Sequence, residues 1–233
     1  MNPIEPVLAA DTKERILDAA EALFIEQGFA AASLRTITAR AGVNLAAVNY
    51  HFGSKDELIR AVFTRRLEPL NRERIALLDE LERNAKGRAL PVEQILEAFL
   101  ISGVRVARDA RRGGTLFVRL LGRAFAEPTE QVRQLLPEQF QEVVARYKAA
   151  LALSLPALPE RELVWRLHFI FGTIAYTMGG SDVLQLTSSH PLKDEGNDAE
   201  TLIRHLVPFL AGGLTAPLAG AEGGRKSRRQ NSN

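Results

Sequence analysis

SLRTITARAGVNLAAVNYHFGSK, residues 33–55, reads as two short helices joined by a tight turn. Ser33 suits the N-cap of a helix that starts at Leu34. Ala41-Gly42 ends it, because glycine enters the left-handed conformation at no steric cost. Asn44 suits the next N-cap, since its side-chain oxygen can accept from an orphan backbone N–H of a helix running from Leu45 to about His51. Ile37, Ala41, Val43 and Val48 are apolar at spacings that pack the two helices together. The pattern is a helix-turn-helix, whose second helix can enter a DNA major groove. An ordinary helical hairpin turned at glycine is the alternative.

The outward-facing residues fit nucleic acid. Arg35, Thr36, Asn44, Asn49, Tyr50, His51 and Lys55 all offer hydrogen-bond donors, and the stretch contains no acid. Arg35, Arg40 and Lys55 give it a positive local charge that a phosphate backbone favours. Leu45, Ala46, Ala47 and Asn49 fall at the start or on the exposed side of the second helix. Small apolar groups there meet thymine methyls, and Asn49 can pair with an adenine edge. The competing reading packs Leu45 and one alanine onto the preceding helix. Nothing near His51 in sequence would complete a metal site or a catalytic pair.

The whole chain sets bounds on this. Its 233 residues suffice for a buried core, with 30 Lys and Arg against 28 Asp and Glu, a formal charge of only +2. The distribution is more telling: Asp11, Glu14, Asp18, Glu21 and Glu26 precede the acid-free stretch, and the last residues are basic. There is no cysteine, which excludes disulfides and thiolate chemistry and suits a cytoplasmic setting. No signal peptide is apparent. The least polar run, Leu167–Ser181, falls short of the roughly 20 residues a membrane helix needs. No nucleophile–base motif, phosphate loop or metal-ligand spacing marks an enzyme, so no cofactor or metal is expected.

Around the central stretch, residues 1–10 read as a loose tail. Asp11 and Glu14 have the form of a capping box before a helix carrying Ile16, Ala19, Ala20, Leu23 and Phe24 and closing at Gln27-Gly28. Ser54 and Glu57 form a second box, opening a long helix that passes Pro69 to about Arg83. Residues 84–90 are a linker. Further helices are predicted from near Pro91 to near Asp109, over Thr115–Ala126, from Pro128 onward with a kink at Pro137, over Glu160–Leu186 and over Asp198–Ala211. A polar loop, Thr187–Asn197, and a basic tail complete the chain. No strand pattern appears, so the fold is all-α: a DNA-binding domain over residues 11–60, a helical domain over 61–215 and a tail from 216.

ILDAAEALFIEQGF, SLRTITARAGVN and HFGSKDEL, in this order within residues 12–63, resemble the N-terminal domain of the TetR family of transcriptional regulators. The departure is Asn49, where the family usually carries tyrosine; Tyr50 sits one place later. FVRLLGRAF and VWRLHFIFGTIAYTMGGSDVL are similar to segments of the PsrA-type, fatty-acid-responsive subgroup. The resemblance implies a homodimeric repressor bound to a palindromic double-stranded operator. Release would come from a long-chain fatty acid or acyl-CoA bound in the C-terminal domain. Ser33, Arg35, Thr36, Tyr50, His51 and Lys55 match positions that commonly contact phosphates. Arg119 and Arg123, four apart on one helix face, are candidates to anchor a ligand carboxylate or phosphate, with salt bridges to a neighbouring helix as the alternative. Trp165, His168, Phe169 and Tyr176 are candidates to line the pocket, with core packing or a dimer seam as the alternatives. A drug-like effector, or a C-terminal domain that only dimerises, also stays open.

Overall fold

The computed structural model describes residues 4–109, 114–126, 128–178 and 199–218. Among them the regular elements are all helices: α1 (Ile4–Gln27), α2 (Leu34–Ala41), α3 (Leu45–Phe52), α4 (Lys55–Ala85), α5 (Val92–Arg108), α6 (Gly114–Ala126), α7 (Glu130–Ser154), α8 (Glu160–Met178) and α9 (Ala199–Thr215). The all-α reading therefore holds. The predicted end of α8 at Leu186, the Thr187–Asn197 loop and the tail beyond Leu218 lie outside the described residues.

The caps of the central stretch form as the residue types require. The Thr36 N–H donates to Ser33 Oγ (3.1 Å) while the Ser33 N–H donates to Thr36 Oγ1 (3.0 Å), so two orphan donors are satisfied reciprocally. Gly42, at φ 65°, stops α2 in the left-handed region. Arg15 of α1 donates to the carbonyls of Ala41 (2.6 Å) and Gly42 (3.2 Å), putting a cation on the negative end of α2. A Cβ on Gly42 would lie 2.9 Å from Arg15 Nη2, a flexible side-chain end that can shift, so the turn requires glycine for its positive φ rather than for space. Asn44 Oδ1 accepts from the Ala47 N–H (2.9 Å), and Ser54 Oγ from the Glu57 N–H (3.1 Å), starting α3 and α4.

Two cores hold the chain. The first joins Ile16, Ala20 and Phe24 of α1, Ile37 of α2, Val48 of α3 and Leu58, Val62 and Phe63 of α4, and it continues into Phe117, Leu120 and Ala124 of α6. Phe29, in the α1–α2 loop, turns inward as its sequence context implies, with its ring 5.3 Å from Phe24 and 5.7 Å from Phe63. Each such side chain contributes about 1.5–3 kcal/mol of burial. The second core gathers Leu78, Ile95, Tyr147, Leu151, Leu163, Ile170, Leu206 and Leu210 from α4, α5, α7, α8 and α9. α4 belongs to both.

Three boundaries differ from the sequence reading. α1 begins at Ile4, so Asp11 does not cap it. Pro6 falls in the first turn, where backbone N–H groups have no helical partner to lose, and Asp11 instead faces Arg15 one turn on (3.9 Å). α7 opens at Glu130 behind a Thr129 cap rather than at Pro128. α9 runs through Gly212-Gly213 to Thr215, although each glycine costs about 1 kcal/mol in a helix. Buried Arg166 of α8 offsets that cost, because its Nη1 donates to the carbonyls of Leu214 (2.6 Å) and Ala216 (2.8 Å).

Candidate nucleic-acid interface and effector cavity

The residues proposed for DNA gather at one end of the molecule, on the N-termini of α2 and α4 and the outer side of α3. Val48 and Phe52 turn α3 toward the core. That leaves Asn44, Leu45, Ala46, Asn49 and Tyr50 exposed, with Tyr50 at 83 % of its full exposure. Ala47 differs from its neighbours, since it packs half-buried against the first core. His51 is half-buried, with its ring edge-on to Tyr50 at 5.1 Å. Ser33, Arg35 and Thr36 are exposed around the start of α2, where the two hydroxyls also form the cap.

Lys55 is drawn to the same place. Its Nζ donates to the Ala30 carbonyl (3.1 Å), bridging the start of α4 to the loop before α2, and partial burial lowers its pKa. Arg40 contributes less positive charge than its place in an acid-free stretch implies. It forms a two-pronged pair with Glu26 of α1 (2.6 and 2.9 Å). That hydrogen bond, against partial desolvation, holds the Glu26 carboxyl below its usual value, helped by the charges of Arg40 and Arg119.

Behind this end, α1 is clamped to α4. Glu21, buried, accepts from Arg65 Nη2 (2.6 Å) and Arg66 Nη2 (2.7 Å), while Arg65 Nη1 reaches Glu14 (3.0 Å) and Asp18 (2.8 Å). The acids of α1 thus balance arginines of α4.

A cavity of about 260 Å³ lies between α4, α5, α6, α7 and α8. Leu70, Phe99, Phe117, Leu121, Phe125, Leu136, Phe140, Phe171 and Ile174 make its wall almost wholly apolar. Arg74 is the charged residue in that wall, 5 % exposed. Its Nε donates to the Phe99 carbonyl (3.2 Å), its Nη1 makes a long contact to Asn71 Oδ1 (3.4 Å), and its Cζ lies 3.9 Å from the Phe99 ring centre. Desolvation lowers its pKa to about 10, so it stays charged at neutral pH. Arg74 is inconspicuous in the sequence because NRERIALLDELER is dense in charge. Its signal is the helical phase, for Leu67, Leu70, Arg74 and Leu78 form one buried stripe.

The ligand candidates fall elsewhere. Arg123 donates to the Ile25 carbonyl near the C-terminus of α1 (3.3 Å), and Arg119 is exposed close to Glu26. Both therefore lie toward α1 and not in the cavity wall, because the face of α6 they occupy packs on the DNA-facing half. Trp165, His168, Phe169 and Tyr176 are exposed on α8 rather than lining the cavity. Phe171, Ile174 and Ala175, on the opposite side of that helix, take the cavity positions. Trp165 and Phe169 stack on each other at 6.0 Å, and Phe209 of α9 is also exposed, at 68 %.

A capped helix-turn-helix at one end and a half-open apolar cavity behind it give this chain the architecture of a transcription regulator. Residues 16–62 match the family described as bacterial regulatory proteins, tetR family, and residues 97–213 match the tetracyclin repressor-like C-terminal domain. The chain belongs to the TetR family. It is 38 % identical over 120 residues to the HTH-type transcriptional repressor Rv3405c of Mycobacterium tuberculosis, covering 44 % of this chain and 64 % of that one. Matches to curated relatives span between 29 % and 64 % of those relatives' lengths. Among solved structures it is similar to SmeT, the repressor of the Stenotrophomonas maltophilia multidrug efflux pump SmeDEF, at 29 % identity (83 % of this chain, 91 % of that one, TM-score 0.51). The SmeT–triclosan complex matches at 25 % identity, 84 % and 89 % coverage and a TM-score of 0.57. No described helix is long and apolar enough to cross a membrane.

Proposed function

We propose that this protein is a homodimeric repressor that leaves a palindromic operator when a small, largely apolar effector fills its C-terminal cavity. The observation that carries the reading is the face of α3: a helix held by caps at both ends, exposed on one side, with no acid on it. Asn49 and Ala46 read base edges and thymine methyls, with Leu45 and Asn44 at the groove wall. Ser33, Arg35, Thr36, Tyr50, His51 and Lys55 take phosphates, which fixes register without reading sequence. Ala47 supports the helix from below.

Dimerisation is assigned to the aromatic stripe of α8 with Phe209 of α9, since an exposed apolar patch of this kind marks an interface. Symmetry of the dimer would then match the two half-sites of the operator. The effector acts through α6. One side of that helix lines the cavity at Leu121 and Phe125, and the other packs on α1 through Leu120 and Ala124. A ligand that favours one α6 position shifts DNA affinity by its differential affinity for the two states and no more.

A long-chain fatty acid is the effector we favour, from the PsrA-type resemblance and the apolar wall. At about 260 Å³ the cavity falls just below the ~300–1,000 Å³ common for ligand sites, so it suits part of an acyl chain and would leave a CoA moiety outside. Triclosan bound to SmeT supports a second reading, a drug-like hydrophobic effector. Both are tested on a duplex enriched from random DNA by binding to the protein. Oleate, oleoyl-CoA and triclosan are titrated against that complex in a gel shift. Release by oleate supports the first reading and release by triclosan alone the second. Failure to enrich any duplex overturns operator binding.

A further inference from the structure

Arg74 lies in an apolar wall, with Glu73 acting on it only at a distance through its charge. Among the described residues it forms no ion pair, and Glu73 beside it in sequence is held by Arg105 (3.2 Å). Of the five N–H groups a guanidinium offers, Arg74 uses one on the Phe99 carbonyl and one on Asn71, which leaves three. The Phe99 carbonyl also accepts from Ser102 Oγ (3.0 Å), so it does not depend on the arginine. The groups that face the charge instead are aromatic. The Phe99 ring lies at 3.9 Å and the Phe140 ring at 6.0 Å, both in the cavity wall. Tyr147 holds the backbone beneath it, its hydroxyl donating to the Arg74 carbonyl (2.9 Å).

A buried cation is costly when unpaired, and an apolar side chain in its place would commonly be neutral or stabilising. The cavity beside it has room for such a partner. We infer that Arg74 is the specificity determinant of the cavity, selecting effectors with a single anionic group, a carboxylate or phenolate, on an otherwise apolar body. The remaining N–H groups of the fork would hold the anion, and a carboxylate matches that fork with both oxygens. The phenyl rings around it would exclude water and so strengthen the pairing. The inference rests on the cavity being the effector site.

Titration calorimetry at neutral pH separates the two ideas, using decanoate and decan-1-ol as a charged and a neutral probe of similar shape. The full chain binds decanoate roughly 10- to 100-fold more tightly than the alcohol, the margin a charge-assisted hydrogen bond supplies. Arg74→Met removes that margin and keeps alcohol binding, while Arg74→Lys restores part of it. Equal affinity of the wild-type chain for both probes overturns the inference and leaves the cavity standing. Undiminished preference for decanoate in Arg74→Met also overturns it. If neither probe binds the wild-type chain, the cavity itself is not the effector site. Should Arg74→Met not fold, the wild-type comparison and Arg74→Lys still decide the outcome.

Discussion

The DNA-facing end and the cavity end hold their polar groups in opposite ways. At the first, donors stand on the surface of short helices, and the starts of α2 and α3 are capped between residues three positions apart, Ser33 with Thr36 and Asn44 with Ala47. At the second, one guanidinium is sunk among phenyl rings, 25 residues in sequence from the carbonyl it bonds. Arg40 and Arg74 embody the contrast. Arg40 lies in a stretch without acids and yet is neutralised by Glu26; Arg74 lies in a run full of acids and yet forms no ion pair among the described residues. Local composition is a guide to charge only where the partners are also local.

Perturbing the DNA-facing end at its base produces the largest effect. Phe63→Ala removes the ring against which Phe29 stacks and costs about 3–5 kcal/mol, read as a lower denaturant midpoint. Loss of less than about 1 kcal/mol would mean that the first core tolerates a cavity there. At the other end, Leu121→Trp fills the cavity proposed for the effector. It weakens effector binding by about 2 kcal/mol, roughly 30-fold, while operator affinity stays within a few fold. Equal loss of both would show that the two ends are not separable.

A smaller change tests the turn between α2 and α3. Gly42→Ala puts an L side chain in the left-handed region and crowds Arg15, costing about 1–2 kcal/mol in thermal or chemical unfolding. Lys55→Ala leaves stability nearly unchanged. It weakens binding to every duplex alike and reduces the slope of log affinity against log salt by about one unit. An unchanged slope would remove Lys55 from the phosphate contacts and leave it only the bond to Ala30.

The smallest effect sharpens the contrast between the two arginines. The hydrogen bond from Arg40 keeps Glu26 ionised below its ordinary value of 4.5. Its folded pKa is depressed, so the stabilisation it gives is present above the unfolded pKa and is lost as pH falls through the lower, folded one. Carboxyl-detected NMR titration finds the Glu26 midpoint below 4.5 and sees it rise in Arg40→Gln.

Much of the first end is legible in the residues alone. Ser33, Gly42, Asn44 and Ser54 act within one helical turn, and Ile37, Val48 and Phe29 follow short periodicities that survive any arrangement of the rest. Arg15, which closes the end of α2 from 26 residues away, is not legible, since nothing in its own segment marks it. On α8 the composition is apolar nearly all round, and periodicity cannot say which side meets the cavity. Phe171 and Ile174 take that side, and Trp165, Phe169 and Tyr176 take the outer one.

By itself, then, the sequence determined the helical class, the helix-turn-helix and its caps, because those depend on residue types a few positions apart. Only the tertiary structure decided which arginine is paired, which face of α8 is covered and where the cavity lies. Those outcomes depend on the side chains other helices bring alongside, and burial, the term that sets both charge and exposure, is a property of the assembled helices.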